Sequence, residues 1–140
     1  MIVLDTNVIS EPMRTRPNAA VIEWLNEQPN AGLFTTSVTV MELRFGIDRL
    51  PEGKRKADLW EMLDFTLSRL VGPRILPFDV PAAIEAAHIT TMAEAAGTPI
   101  GQADAQIAGI TRTQGFAIAS RDQAPFQIAG ITLINPWPFT

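Results

Sequence analysis

The sequence predicts an α/β fold of three layers: a central parallel sheet of about five short strands, flanked by helices. Two features point to it. Short, wholly apolar runs recur along the chain, as in strands buried on both faces. Segments with apolar residues at helical spacing separate them, so successive strands are joined by crossovers, right-handed by rule, and pair in parallel. At 140 residues the chain is long enough for one domain, spanning 1–140, with a substantial core.

Ile2, Val3 and Leu4 form the first strand, which stops at Asp5 and is followed by Thr6, Asn7 and Ser10. Pro17 and Asn18 open a helix over about 18–28, with Val21, Ile22, Trp24 and Leu25 as its apolar positions. Asn30-Ala31-Gly32 makes a turn, and Leu33–Thr36 is the second strand. Ser37 suits the cap of a helix from Val38 to Leu50, broken by Pro51, Glu52 and Gly53. Leu59, Met62, Leu63, Leu67 and Leu70 place a further helix before Gly72-Pro73. Arg74–Phe78 reads as a third strand, stopped by Pro77. Asp79 then caps a helix with Pro81 in its first turn, running to Ala96. Ala103–Gln114 is a helix with Ala103, Ile107 and Ile110 on one stripe, ended by Gly115. Phe116–Ala119 and Ile131–Ile134 are the last strands.

Composition narrows the function. Hydrophobic residues make up 46% and charged ones 19%, which describes a globular chain. No apolar run approaches the roughly 18–20 residues of a bilayer span, and no basic-then-apolar leader opens the chain. Without cysteine there are no disulfides or thiolate sites, which fits a reducing cytoplasm. A net charge of −4 argues against a broad basic face for nucleic acid. Setting aside four of the 15 acids as a metal site, however, leaves 11 against 11 Lys and Arg.

Four acids stand out. Asp5 and Asp122 each follow a strand; Glu42 and Asp104 each sit early in a helix. Singly, capping or the helix dipole explains each at least as well as metal binding. Jointly, strand C-termini and the following helix N-termini share one edge of a parallel sheet, so the four converge in a cleft at the topological switch. Glu42 would project there beside Val38, Phe45 and Gly46. Unneutralised carboxylates repel and raise one another's pKa, whereas hard cations such as Mg²⁺ or Mn²⁺ make an all-oxygen cluster stable. Two ions about 3.5–4 Å apart could activate water and stabilise the leaving oxygen of a phosphodiester.

Met1–Ser10, Val40-Met-Glu-Leu-Arg-Phe-Gly46, Ala103-Asp-Ala-Gln-Ile-Ala108 and Ala119-Ser-Arg-Asp122 resemble the ordered motifs of PIN-domain ribonucleases. Within that family they are similar to VapC-type toxins of type II toxin–antitoxin systems, on the FitB-like branch, as is the ending Asn135-Pro-Trp137. The resemblance implies a PIN-like (Rossmann-like) domain. It further implies a Mg²⁺- or Mn²⁺-dependent endoribonuclease, dimeric, acting on RNA and inhibited by a cognate antitoxin. It carries Asp5, Glu42, Asp104 and Asp122 onto the family's acidic positions, Asp5 and Asp104 most often binding metal directly. Many members have Thr-Arg-Asn where this chain has Ser120-Arg121-Asp122, with another acid soon after. Gln123, Ala124, Pro125 and Phe126 supply none, so position 122 is the least supported.

Thr6 and Asn7 could orient the Asp5 carboxylate or a metal-bound water, with capping as the competing role, and Ser120 and Arg121 sit beside Asp122. Arg121 is a candidate for an RNA phosphate, or for pairing with a cleft carboxylate. The basic run Lys54-Arg55-Lys56 opens a helix, where its charge opposes the dipole. A solvated turn is the simpler account and phosphate contact the other. His88, between Ile84 and Met92 on one stripe, reads as a core or edge histidine. Trp24, Trp60 and Trp137 read as packing residues, with an interface role open for Trp60. No Gly-x-Ser-x-Gly, Gly-x-Gly-x-x-Gly or Walker-type loop occurs. A phospho-receiver would need paired acids at the first strand and a lysine after the last; the only lysines are Lys54 and Lys56. The alternative from another class is a non-catalytic PIN-like subunit that joins a DNA-binding antitoxin and tunes repression.

Overall fold

The computed structural model describes residues 1–138. Five strands, β1 (Ile2–Leu4), β2 (Leu33–Thr36), β3 (Ile75–Leu76), β4 (Ala117–Ala119) and β5 (Leu133–Ile134), form one sheet in the order β3-β2-β1-β4-β5. Every pairing is parallel, with Val3 opposite Phe34 on one side and Ile118 on the other. The chain builds outward from β1 through β2 to β3, then returns to add β4 and β5 on the opposite side. The C-terminal end of β1 therefore lies at the reversal of strand order, where open α/β sheets form their ligand crevice.

Helices cover both faces: α1 (Thr6–Ser10), α2 (Ala19–Glu27), α3 (Ser37–Asp48), α4 (Lys54–Leu70), α5 (Val80–Ala95), α6 (Gln102–Gln114) and α7 (Ala124–Ile128). Alternation along β1 divides the core. Leu4 joins Val8, Val21, Leu25, Leu63 and Leu70 on one side, while Val3 joins Ile89, Ile107, Ile110 and Phe126 on the other. Trp137 is buried and Trp24 and Trp60 pack against the first of these cores.

Several local expectations are corrected. Ser37 does not cap α3: the Thr36 hydroxyl accepts from the Thr39 amide at 3.1 Å, and Ser37 Oγ accepts from the Phe78 amide instead. The helix ends at Asp48, two residues before Leu50. β3 is two residues long because Pro77 has no N–H for the ladder. The last two strands also start later than expected, at Ala117 and Leu133. Thr6–Ser10 and Ala124–Ile128 are helical turns that the apolar pattern did not signal.

His88 is exposed, and so is Ile84 at 65%, so their stripe faces outward. The face of α5 that is buried carries Ala82, Ala86, Ile89 and Ala93. It is pressed so tightly on α6 that a Cβ at Gly109 would stand 2.5 Å from the Ala82 carbonyl oxygen. Lys56 is not solvated either: its ammonium donates to the Asp48 carbonyl at 2.9 Å and to Glu52 Oε1 at 2.7 Å.

Candidate active site

Asp5 leaves the end of β1 and turns directly into α1. Its Oδ1 accepts from the Thr6 amide at 2.8 Å, the capping bond, and its Oδ2 accepts from the Ser120 hydroxyl at 2.7 Å. Capping and site-building are therefore one arrangement. Ser120, fully buried after β4, is the node of the network. Its Oγ also accepts from the Asp122 amide at 3.0 Å and from Asn7 Nδ2 at 3.3 Å. Asn7 reaches Asp122 Oδ2 at 3.5 Å through the same nitrogen, and its Oδ1 accepts from the Arg121 amide at 3.2 Å. Asn7 thus fixes the 120–122 turn against the start of α1.

Glu42 is tied in from α3. Thr6 Oγ1 donates to Glu42 Oε1 at 2.7 Å and lies 3.3 Å from the hydroxyl of buried Thr39, which in turn stands 3.3 Å from the Thr36 hydroxyl. Thr39 was missed in the sequence, although Thr36-x-x-Thr39 followed one turn later by Glu42 places both inner hydroxyls behind that acid. Phe45, expected to flank Glu42 with apolar surface, is 62% exposed and points to solvent.

Electrostatics link the acids. Burial raises the Asp5 carboxyl from its ordinary value to about 6; the Ser120 hydroxyl and Thr6 amide pull it back, and the Asp104 and Glu42 charges push it further up. Burial also raises Asp104, assisted by the charges of Asp122 and Glu42. The four carboxylates therefore lie within reach of one another's fields. Yet among the described residues no three such side chains stand close enough, as placed, to hold one ion. The neighbourhood anticipated from the sequence is present; the ligating geometry is not. The donor set itself fits a hard divalent cation, being all oxygen and including a desolvated carboxylate that a proton or a cation would stabilise.

Among the described residues Arg121 pairs with no cleft carboxylate; its guanidinium lies over the Trp137 ring at 5.2 Å. Trp60 carries Arg44 in the same way at 4.4 Å. Glu11, a buried acid that no spacing singled out, accepts from Arg14 at 3.1 Å and secures the loop after α1.

Comparison with known proteins matches residues 2–131 to the PIN domain. The plasmid stability protein StbB of Pseudomonas syringae is 44% identical over 98% of this chain and 99% of its own length. The VapC ribonuclease Y4jK of Sinorhizobium fredii is 42% identical over 98% of each. Toxin FitB of Neisseria gonorrhoeae is 41% identical over 98% of this chain and 99% of its own. The crystal structure of FitAcB from that organism superposes with a TM-score of 0.91 at 40% identity, covering 99% of this chain and 100% of that one.

Proposed function

The chain belongs to the PIN-domain family, and from that premise we propose that it is a metal-dependent endoribonuclease, the toxin of a toxin–antitoxin pair acting in the cytoplasm. Asp5, Glu42, Asp104 and Asp122 would hold Mg²⁺ or Mn²⁺, with Asp5 and Asp104 as the most direct ligands. When bound, the cation supplies an activated water and stabilises the leaving oxygen of the RNA phosphodiester. The protein's own groups prepare this chemistry. Ser120 and the Thr6 amide orient the two oxygens of Asp5, the Thr6 hydroxyl orients Glu42, and Asn7 holds Asp122 and the Arg121 backbone. Asp5 keeps a proton up to about pH 6 and must give it up for the site to carry its full negative charge.

A cognate antitoxin is the natural partner, since the relatives include a toxin and a ribonuclease of the VapC type, and the working unit is a homodimer or a larger assembly with that antitoxin. The observation that carries the proposal is the desolvated Asp5 carboxylate in the field of Asp104 and Glu42, a costly placement unless a cation uses it.

The test is cleavage of total RNA with Mg²⁺ or Mn²⁺ by wild type, Asp5→Asn and Asp104→Asn. Wild type should cut, and each variant should lose at least about 100-fold, in line with the loss of a group acting on the reacting phosphate. Equal cutting by all three refutes the proposal. One observation favours a second reading: among the described residues no three acids take up a ligating arrangement. A non-catalytic subunit that binds a DNA-binding antitoxin would co-purify with it tightly and leave RNA intact even after its removal.

A further inference from the structure

The basic run at the start of α4 splits in the fold. Lys56 turns inward to the Asp48 carbonyl and Glu52. Lys54 and Arg55 stay exposed, form no ion pair among the described residues, and open a 17-residue helix whose dipole disfavours them. Helix stability gives no reason for them. Both line a groove of about 970 Å³ between α4, α3 and the loop after α1.

The loop contributes Arg14 and Arg16 to the same groove, and Glu42 of the acidic cleft lines it too. Arg14 rests against Glu11 at 3.1 Å while 63% of its side chain stays exposed, so it retains donors for another acceptor. Of the eleven Lys and Arg in a chain of net charge −4, four gather here from two separate segments. Besides Glu42, the groove lining holds one acid, Asp58. Local charge is thus inverted beside the acidic site.

We infer that Arg14, Arg16, Lys54 and Arg55 form a phosphate track that leads single-stranded RNA into the cleft at Glu42. This assignment of substrate-positioning residues rests on the ribonuclease function proposed above. A trough with cations on opposite walls suits a polyanion whose charges repeat along its length. Its continuity with Glu42 sets the strand's scissile phosphate against the carboxylates.

The experiment is fluorescence anisotropy of a short labelled single-stranded RNA, in EDTA so that nothing is cut, across a salt series. Lys54→Gln with Arg55→Gln should weaken binding about tenfold and make the log–log salt dependence shallower by about 1.4, two phosphate contacts at about 0.7 each. Arg16→Gln should act in the same direction. Arg69→Gln, at the other end of α4 and bonded to Asn26 at 3.1 Å, should leave both quantities at their wild-type values. Unchanged affinity and slope in the double variant overturn the track, as does an equal loss in Arg69→Gln. Wild-type preference for a labelled oligoglutamate peptide over the RNA also overturns it, in favour of an acidic protein segment. Cleavage is read separately: a track that behaves as expected in a protein that never cuts RNA sinks the nuclease and leaves the track standing.

Discussion

The two oxygens of Asp5 accept from the Thr6 amide and the Ser120 hydroxyl, while burial and the neighbouring acids hold its carboxyl near pH 6. A carboxyl whose folded pKa lies above its unfolded value of 3.8 makes the native state bind more protons between those two values. Stability conferred by the protonated group is present below about pH 4 and is lost as pH rises through about 6. A shift of about two units corresponds to roughly 3 kcal/mol at most, and Asn cannot accept from Ser120 as the carboxylate does, a loss of about 1 kcal/mol. Asp5→Asn in metal-free protein should therefore raise stability at pH 7 by about 1–2 kcal/mol and flatten the decline between pH 4 and 6. Denaturant melts at both pH values measure this; a destabilised variant with an unchanged pH slope would show that Asp5 is not desolvated as described.

Among the elements, α5 and α6 cross closely at Gly109. At Gly109 an added methyl would meet the Ala82 carbonyl oxygen at 2.5 Å and the Ala86 nitrogen at 2.9 Å, both backbone atoms that cannot move alone. Gly109→Ala should cost about 1–3 kcal/mol, although Ala is the better helix former, and a thermal melt at or above the wild-type midpoint would contradict the close crossing. Elements of this kind were partly legible in the sequence. Asn18, Asp79 and Gly115 mark their helix ends as expected, the first two by accepting from backbone amides and Gly115 by its left-handed φ of 69°. The five-residue α1 and α7 carry too few turns to show periodicity. The inward face of α5 was misjudged because alanines, not the larger Ile84 and Met92, fit against Gly109. Thr36 outcompetes Ser37 as a cap because Ser37 is drawn to the Phe78 amide, a contact 41 residues away.

Taken together, the parallel order β3-β2-β1-β4-β5 does what no single segment can: it carries residues 5, 42, 104 and 122 to one edge of the sheet. That convergence could be argued from strand ends and the helices that follow them for Asp5, Glu42 and Asp122, but not for Asp104, whose helix α6 follows α5 and not a strand. The hydroxyl chain Thr6–Thr39–Thr36, the Ser120 node and the groove flanked by Arg14 and Lys54 could not, because each joins positions distant in sequence. Among the described residues the fold does not by itself bring three acids into ligating positions, so on the proposed function the cation would have to draw the site together. Calorimetric titration with Mn²⁺ near pH 6, in two buffers of different ionisation enthalpy, examines that step. Wild type should bind the ion and release about half a proton per Asp5 carboxyl, which is half protonated at that pH, and Asp5→Asn combined with Asp104→Asn should bind at least about tenfold more weakly with no such release. Equal affinity and equal proton release in both proteins would mean that these carboxylates do not form a shared cation site.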